Sequence, residues 1–250
     1  HFEKENKIEN KVKSSMIYPM VLGIATVAVV IFMLVFIMPT FVGMFEGSGT
    51  ELPGPTRALI DLSNSLQTYW YIYIAAVTAI VLGISTYKKS EDGTRFFDSM
   101  KLRLPIVKGT TIMLATSRFT RTLSTLMSSG IPLIQSLEVV SRVVNNSVIE
   151  ERLLTGIENI RKGVTLSRTV KDVKIFPPMV DSMIKIGEES GSLDEMLYKT
   201  ADFYDEEVET SMQKLTSMLE PLMIIVMALI IGFIVIAMYL PMFDLSSTVQ

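Results

Sequence analysis

Three long stretches without a single charge divide this chain. They lie between Lys13 and Glu46, between Asp61 and Lys88, and between Glu220 and Asp244. A helix needs roughly 20 mostly apolar residues to cross a bilayer, and each stretch supplies them. The pattern predicts transmembrane helices over 17–38, 68–87 and 221–243. A signal peptide does not fit the first, whose apolar run is too long and is followed by no small-residue cleavage site. Composition agrees: 49% of the 250 residues are hydrophobic and mean hydropathy is +0.41, which is high for a soluble domain of this size.

The first and third stretches belong to a repeat. Residues 2–43 and 204–245 follow one pattern at an offset of 202. Phe2-Glu3-Lys4-Glu5 matches Tyr204-Asp205-Glu206-Glu207, Tyr18-Pro19 matches Glu220-Pro221, and Pro39-Thr40-Phe41 matches Pro241-Met242-Phe243. Each copy is a charged helix-like stretch, a Pro, an apolar run and a second Pro. A repeat that long marks a duplicated unit. The second copy is preceded by a polar segment. The expectation is that a cousin of that segment lies upstream of His1, with residues 1–16 as its end.

Lysine and arginine bias sets orientation. Lys4, Lys7, Lys11 and Lys13 precede the first span, and Lys88, Lys89 and Arg95 follow the second. The 39–67 loop carries Arg57 against Glu46, Glu51 and Asp61, and the 244–250 tail has Asp244 and no basic residue. Residues 88–220 are therefore expected in the cytoplasm, and the loop and tail outside. Tyr69-Trp70-Tyr71 and Tyr239 mark the outer interface, Tyr18 and Tyr87 the inner one. In the outer loop, Gly47-Ser48-Gly49 and Leu52-Pro53-Gly54-Pro55 signal turns. After Pro55, Ala58, Leu59, Leu62 and Leu66 recur at helical spacing, predicting a short amphipathic helix that feeds the second span.

The 88–220 segment reads as an antiparallel bundle of about six helices, so the fold class is all-α. Ile112, Ala115, Phe119, Leu123 and Leu126 line one face of a helix over 111–129, which Gly130 stops. Pro132 opens a second helix in its first turn, burying Leu133, Leu137, Val140 and Val144. Ser147 caps a third, with Ile149, Leu153, Ile157 and Ile160, ending at Gly163. Thr165 caps a short fourth. Phe176-Pro177-Pro178 starts a fifth, which ends at Gly191. Ser192 and Glu195 form a capping box for the sixth. Its stripe (Leu193, Leu197, Ala201, Tyr204, Val208, Met212) leads unbroken into the third span, where Pro221 is expected to kink it, as Pro19 does the first.

Candidate chemistry is sparse. No phosphate-binding or dinucleotide glycine motif is present. The sole His is His1 and there is no Cys, so His-based catalysis, a zinc helix and disulfides have no residues to use in this sequence. The net charge of −3 and the lack of a basic block give no sign of nucleic-acid binding. The spans hold no ionisable group of the kind that ion pathways use, which counts against a small transporter. A membrane sensor would need a ligand site in the short outer loop and a signalling module. The seventeen Met residues read as packing. Asp202, Asp205, Glu206 and Glu209 form an acidic stripe, and Glu188-Glu189 precede Gly191. Both could meet a cation or basic partner, but a solvated face is the simpler reading. Arg118 and Arg121 share a polar stripe with Thr125 and Ser128. They fit either an acidic partner or ion pairs within the bundle's own acidic helix.

These residues together resemble a known family. Arg118-Phe119-Thr120-Arg121-Thr122-Leu123, Leu126 and Ser129-Gly130-Ile131-Pro132-Leu133 are similar to the R-x-x-R-x-L…L-x-x-S-G-[VI]-P-L stretch of the type II secretion system protein F family, which includes type IV pilus platform proteins. Gly187-Glu188-Glu189-Ser190-Gly191-Ser192-Leu193 resembles its G-E-x-S-G-x-L motif. Glu220-Pro221-Leu222 and Tyr239-Leu240-Pro241-Met242-Phe243 resemble its last span, and Tyr18-Pro19, Pro39-Thr40-Phe41 and Glu51-Leu52-Pro53 its central stretch. The resemblance implies two tandem cytoplasmic helical domains, of which the first is missing here. It implies a platform in the bacterial inner membrane, without enzymatic activity or cofactor, that self-associates and works beside other inner-membrane assembly components. Such a platform meets a hexameric cytoplasmic ATPase and passes its motion to pilin or pseudopilin subunits. It assigns Gly130, Pro132, Gly187, Gly191, Pro19 and Pro221 to shape. Arg118, Arg121 and Glu188 are then the candidate partner contacts.

Overall fold

A computed structural model describes residues 2–45 and 53–248. Among these there is no strand. The order is α1 (Phe2–Phe32), a π turn (Met33–Ile37), α2 (Met38–Phe45), α3 (Gly54–Lys89), α4 (Glu91–Arg103), α5 (Pro105–Ser128), α6 (Leu133–Val143), α7 (Ser147–Arg161), α8 (Leu166–Val173), α9 (Pro178–Ser190) and α10 (Leu193–Thr248). The Gly47-Ser48-Gly49 turn, Glu46 and Glu51 of the first loop lie outside the described residues, as do the lysine side chains ahead of the first span. Three helices are long and apolar enough to cross a membrane: Ile17–Gly43, Gly54–Lys89 and Leu193–Pro241. The chain forms two compact units.

One unit spans 85–215 together with residues 1–13. Its core takes a stripe from each helix: Phe119 and Leu123 from α5, Leu137 and Val140 from α6, Ile149 and Leu153 from α7, Leu166 and Val170 from α8, Val180 and Ile184 from α9, Leu197 and Tyr204 from α10. Phe119 is fully buried and its ring lies 4.8 Å from that of Phe176. Phe176 therefore packs the core as well as preceding the Pro177-Pro178 break. A buried side chain of this size contributes about 2–3 kcal/mol. Leu133, Ile160 and Leu193, expected inside, are only partly buried at its edge.

The helix ends follow local chemistry, with some corrections. Gly130 and Gly163 take φ of 80° and 91° and close Schellman turns: Ile131 N–H donates to the Leu126 carbonyl and Val164 N–H to that of Asn159. The α5 helix begins at Pro105 rather than at Thr111, because Pro105 supplies a first-turn start. Pro132 is the N-cap of α6 rather than its first residue. The α7 cap is Asn146, not Ser147: the Asn146 side chain accepts from Val148 and Ile149 N–H, leaving the Ser147 hydroxyl buried without a partner. The capping box does not form. The Ser192 hydroxyl lies 2.7 Å from that of Ser190, and Glu195 instead pairs with Lys199, one turn on.

Helix α4 is a seventh bundle helix, beyond the about six expected, and packs against α5 and α7. Its signals were ordinary ones. The Ser90 side chain accepts from Gly93 N–H, Glu91 and Asp92 occupy the first turn, and Lys101 and Arg103 the last, all in accord with the helix dipole. Asp98 of α4 is 6% exposed and accepts from Lys101 Nζ at 2.8 Å and Ser147 N–H at 2.9 Å.

The other unit spans 14–84 and 216–250. Within it the two repeat copies pack side by side and parallel. Tyr18 Oη donates to Glu220 Oε1 at 3.1 Å, residues that are 202 apart and equivalent in the repeat. Thr26 Oγ1 reaches Met227 Sδ at 3.5 Å, and Leu34 and Met38 share a core with Leu59, Ile234, Ala237 and Met238. The short helix expected after Pro55 feeds the second span across a kink within α3, where Tyr69 leaves helical geometry (φ −114°, ψ 23°). Helix α10 runs through Pro221 and Pro241 without ending.

Burial opposes ionisation of Asp98, but the Lys101 ammonium and the Ser147 amide outweigh it, so its carboxyl is held below the usual carboxylate range. A depressed folded pKa gives stability that is present above the unfolded value and lost as pH falls through the folded one. Asp98→Asn is expected to cost about 1–3 kcal/mol near neutral pH and nothing extra once Asp98 is protonated. Thermal unfolding of wild type and variant from pH 7 down to pH 3 checks this, since the two midpoints should converge in acid.

Candidate functional site

The resembling motifs of the bundle lie on α5, at the start of α6, on α9 and at the start of α10. Along α5, the polar positions Thr110, Ser117, Arg121 and Ser124 alternate with the apolar core face that carries Phe119 and Leu123. Each is buried and each finds a partner on α10. Thr110 Oγ1 lies 2.6 Å from Ser211 Oγ. Ser117 Oγ donates to Asp205 Oδ1, and Arg121 Nη2 donates to Asp202 Oδ1 and Asp205 Oδ2. Ser124 Oγ donates to the Asp194 carbonyl at 3.0 Å. Numbers rise on α5 as they fall on α10, so the seam is an antiparallel polar ladder beside the hydrophobic core.

Arg121 is its centre. It is 8% exposed, and its guanidinium carbon lies 5.0 Å from the Tyr198 ring centroid, a cation–π distance. Burial penalises its charge, but two carboxylates outweigh that and hold its pKa above the already high guanidinium value. Its Nε is buried without an acceptor. The contact expected at Arg121 is therefore made to the bundle's own acidic helix. Asp202 and Asp205, read from sequence as a solvated face, are the other half of it. Arg118, one turn earlier, is half-buried and makes no ion pair among the described residues.

The G-E-x-S-G-x-L stretch has a physical reason at most positions. A Cβ at Gly187 would lie 2.8 Å from Leu193 Cα, so only glycine lets α9 close onto the start of α10. Glu188 Oε1 accepts from Leu166 N–H at 2.6 Å, and its Oε2 from Ser167 N–H at 3.1 Å and Ser167 Oγ at 2.6 Å. The carboxylate thus caps α8 from another helix, where the free amides and the dipole favour an anion. Thr165, the expected cap, makes no side-chain bond there. Gly191 takes φ of 72°, and Ser192 N–H closes the turn on the Gly187 carbonyl. Leu193 then packs against the core. Among the described residues no three metal-ligating side chains gather.

Residues 119–241 match the family model described as Type II secretion system (T2SS), protein F. The chain belongs to that family. It is 38% identical over 249 residues to the type IV pilus assembly protein PilC of Thermus thermophilus, covering 99% of this chain and 61% of that protein. It is 35% identical over 248 residues to PilC of Myxococcus xanthus, covering 99% and 60%. It is 34% identical over 250 residues to the type II secretion system protein F of Aeromonas hydrophila, covering 99% and 64%. The chain thus spans under two thirds of the length of these relatives. Family members are membrane platform proteins of secretion and pilus systems. Arg121, Gly130, Pro132, Glu188 and Pro221 fall inside the matched region, whereas Pro19 and Arg118 precede it.

Removing Arg121 takes the counter-cation from Asp205, whose side chain is 16% exposed and, among the described residues, keeps only its Ser117 hydrogen bond. Arg121→Met is expected to cost about 2–3 kcal/mol, less than a fully buried pair because Asp202 remains 42% exposed. Arg121→Lys should recover less than half, since an ammonium lacks the planar fork that reaches two carboxylates. Arg118→Glu should stay within about 0.5 kcal/mol of wild type. Unfolding of the purified chain, followed by circular dichroism, separates the three.

Proposed function

We propose that this chain is the inner-membrane platform of a type II secretion or type IV pilus assembly machine. On this reading residues 88–220 lie in the cytoplasm and meet a hexameric assembly ATPase. The helices shared by bundle and span pass the resulting motion to pilin or pseudopilin subunits leaving the bilayer. The ATPase supplies the energy and this protein the geometry, without catalysis or cofactor of its own, within a self-associated assembly. Family membership carries the reading. The basic residues Lys88, Lys89 and Arg95 beside the second span support the orientation. A single helix, α10, that runs from a packed bundle into an uncharged span supports the mechanical role.

Within the motif region, Arg118 is the partner contact we favour, because Arg121 and Glu188 are engaged inside the domain. The test is a mild-detergent pull-down of the tagged full-length protein with mass spectrometry of what accompanies it. The reading expects an assembly ATPase and pilin-like subunits, and loss of the ATPase on Arg118→Glu in a variant that still folds. Recovery of neither partner from wild type would overturn the platform reading. Undiminished recovery with Arg118→Glu would overturn only the contact.

A further inference from the structure

Proline inside a helix leaves a carbonyl without its amide, and this chain places such prolines at equivalent positions of its two repeat copies. Pro39 and Pro241 are 202 apart in the repeat. Neither has an N–H, so the carbonyls four residues earlier, Val35 and Ala237, lose their helical donors. The π turn adds a third. Met38 N–H donates to the Met33 carbonyl, one residue further back than α spacing, so Leu34 loses its usual donor. In an apolar surrounding each unmet carbonyl is costly.

All three are met from one face of α3. Thr56 Oγ1 donates to the Ala237 carbonyl at 2.5 Å, Ser63 Oγ to that of Leu34 at 2.5 Å, and Gln67 Nε2 to that of Val35 at 3.3 Å. Positions 56, 63 and 67 fall within roughly 40° of one another on a helix of 3.6 residues per turn. Thr56 and Ser63 are 4% and 2% exposed, beside the buried Leu59. Neither hydroxyl donates back to a carbonyl of its own helix, the usual fate of Ser and Thr inside a helix, and Ser63 Oγ also accepts from Gln67 Nε2 at 3.3 Å, tying two members of the set together. Thr26 shows that alternative, donating to the Leu22 carbonyl of its own helix.

We propose that Thr56, Ser63 and Gln67 form a latch that holds the two repeat copies to α3 through the carbonyls that Pro39, Pro241 and the π turn set free. Apolar packing alone gives helices little reason to associate in lipid, so interhelical hydrogen bonds and close packing decide which helices pair. The prolines act here by exposing acceptors, and the latch fixes both copies with the same chemistry.

The latch predicts a coupling that a merely well-packed threonine does not. Pro241→Ala restores the amide to Ala237 and makes Thr56 dispensable. In the full chain in detergent, Thr56→Val should lower the unfolding midpoint by about 2–5 °C, and by less than half as much in the Pro241→Ala background. Thr56→Ser, which keeps the hydroxyl, should retain most of the wild-type midpoint. If Thr56→Val does not fold alone, its recovery by Pro241→Ala gives the same answer. An equal loss in both backgrounds, no loss in either, or failure of the double variant to fold while Pro241→Ala folds would overturn the proposal.

Discussion

The structure depends on one helix meeting two solvents. Over its first half α10 must bury a narrow stripe, and it does so with Leu197, Ala201, Tyr204 and Val208 at steps of four, three and four. Over its second half, from Pro221, it carries no charge up to Asp244 and exposes large apolar side chains such as Leu222, Leu229, Phe233 and Ile236. An α-helix is a backbone that suits both settings, because its amides and carbonyls are satisfied within the segment. Two prolines sit inside it, each removing one bond of that ladder. At Pro241 a neighbouring helix supplies what is missing, since Thr56 Oγ1 donates to the freed Ala237 carbonyl.

That rule recurs at the buried polar sites. Arg121 lies beside the core because Asp202 and Asp205 face it. Asp98 is buried because Lys101 and the Ser147 amide do. Glu188 caps a helix that its own N-cap residue does not serve. Thr56, Ser63 and Gln67 answer carbonyls that proline and a π turn released. A buried polar group costs more unpaired than it contributes when paired, so each such pair specifies which helices lie together. The hydrophobic stripes make helices stick, and the polar pairs choose their partners.

The helix class, the three spans, the repeat and most bundle helices were legible from charge-free windows, periodicity and caps. Gly130, Gly163 and Gly191 were readable as stops because each needs a left-handed backbone. What was not legible came from pairing between distant segments. The sequence offered the acidic helix as one of two partners for Arg121, and only the packing of α5 against α10 decides for Asp202 and Asp205. Asn146 and Ser147 are both good caps, and tertiary contact through Asp98 decided between them. Helix α4 escapes the periodicity because its apolar residues Phe96, Phe97, Met100 and Leu102 are few and set among charges. The Glu188 cap had no local signature, since its acceptors and donors are 21 and 22 residues apart.

Helix α10 runs unbroken from Leu193 through Pro241, and the junction of its two halves rests on that continuity. Amide hydrogen exchange of the full-length protein in nanodiscs, resolved across residues 208–226, tests it directly, because exchange reports local opening. Slow exchange is expected to continue from Val208 through Glu220 and to resume immediately beyond Pro221. A fast-exchanging stretch between Leu215 and Glu220 would show two helices joined by a flexible segment and would contradict it.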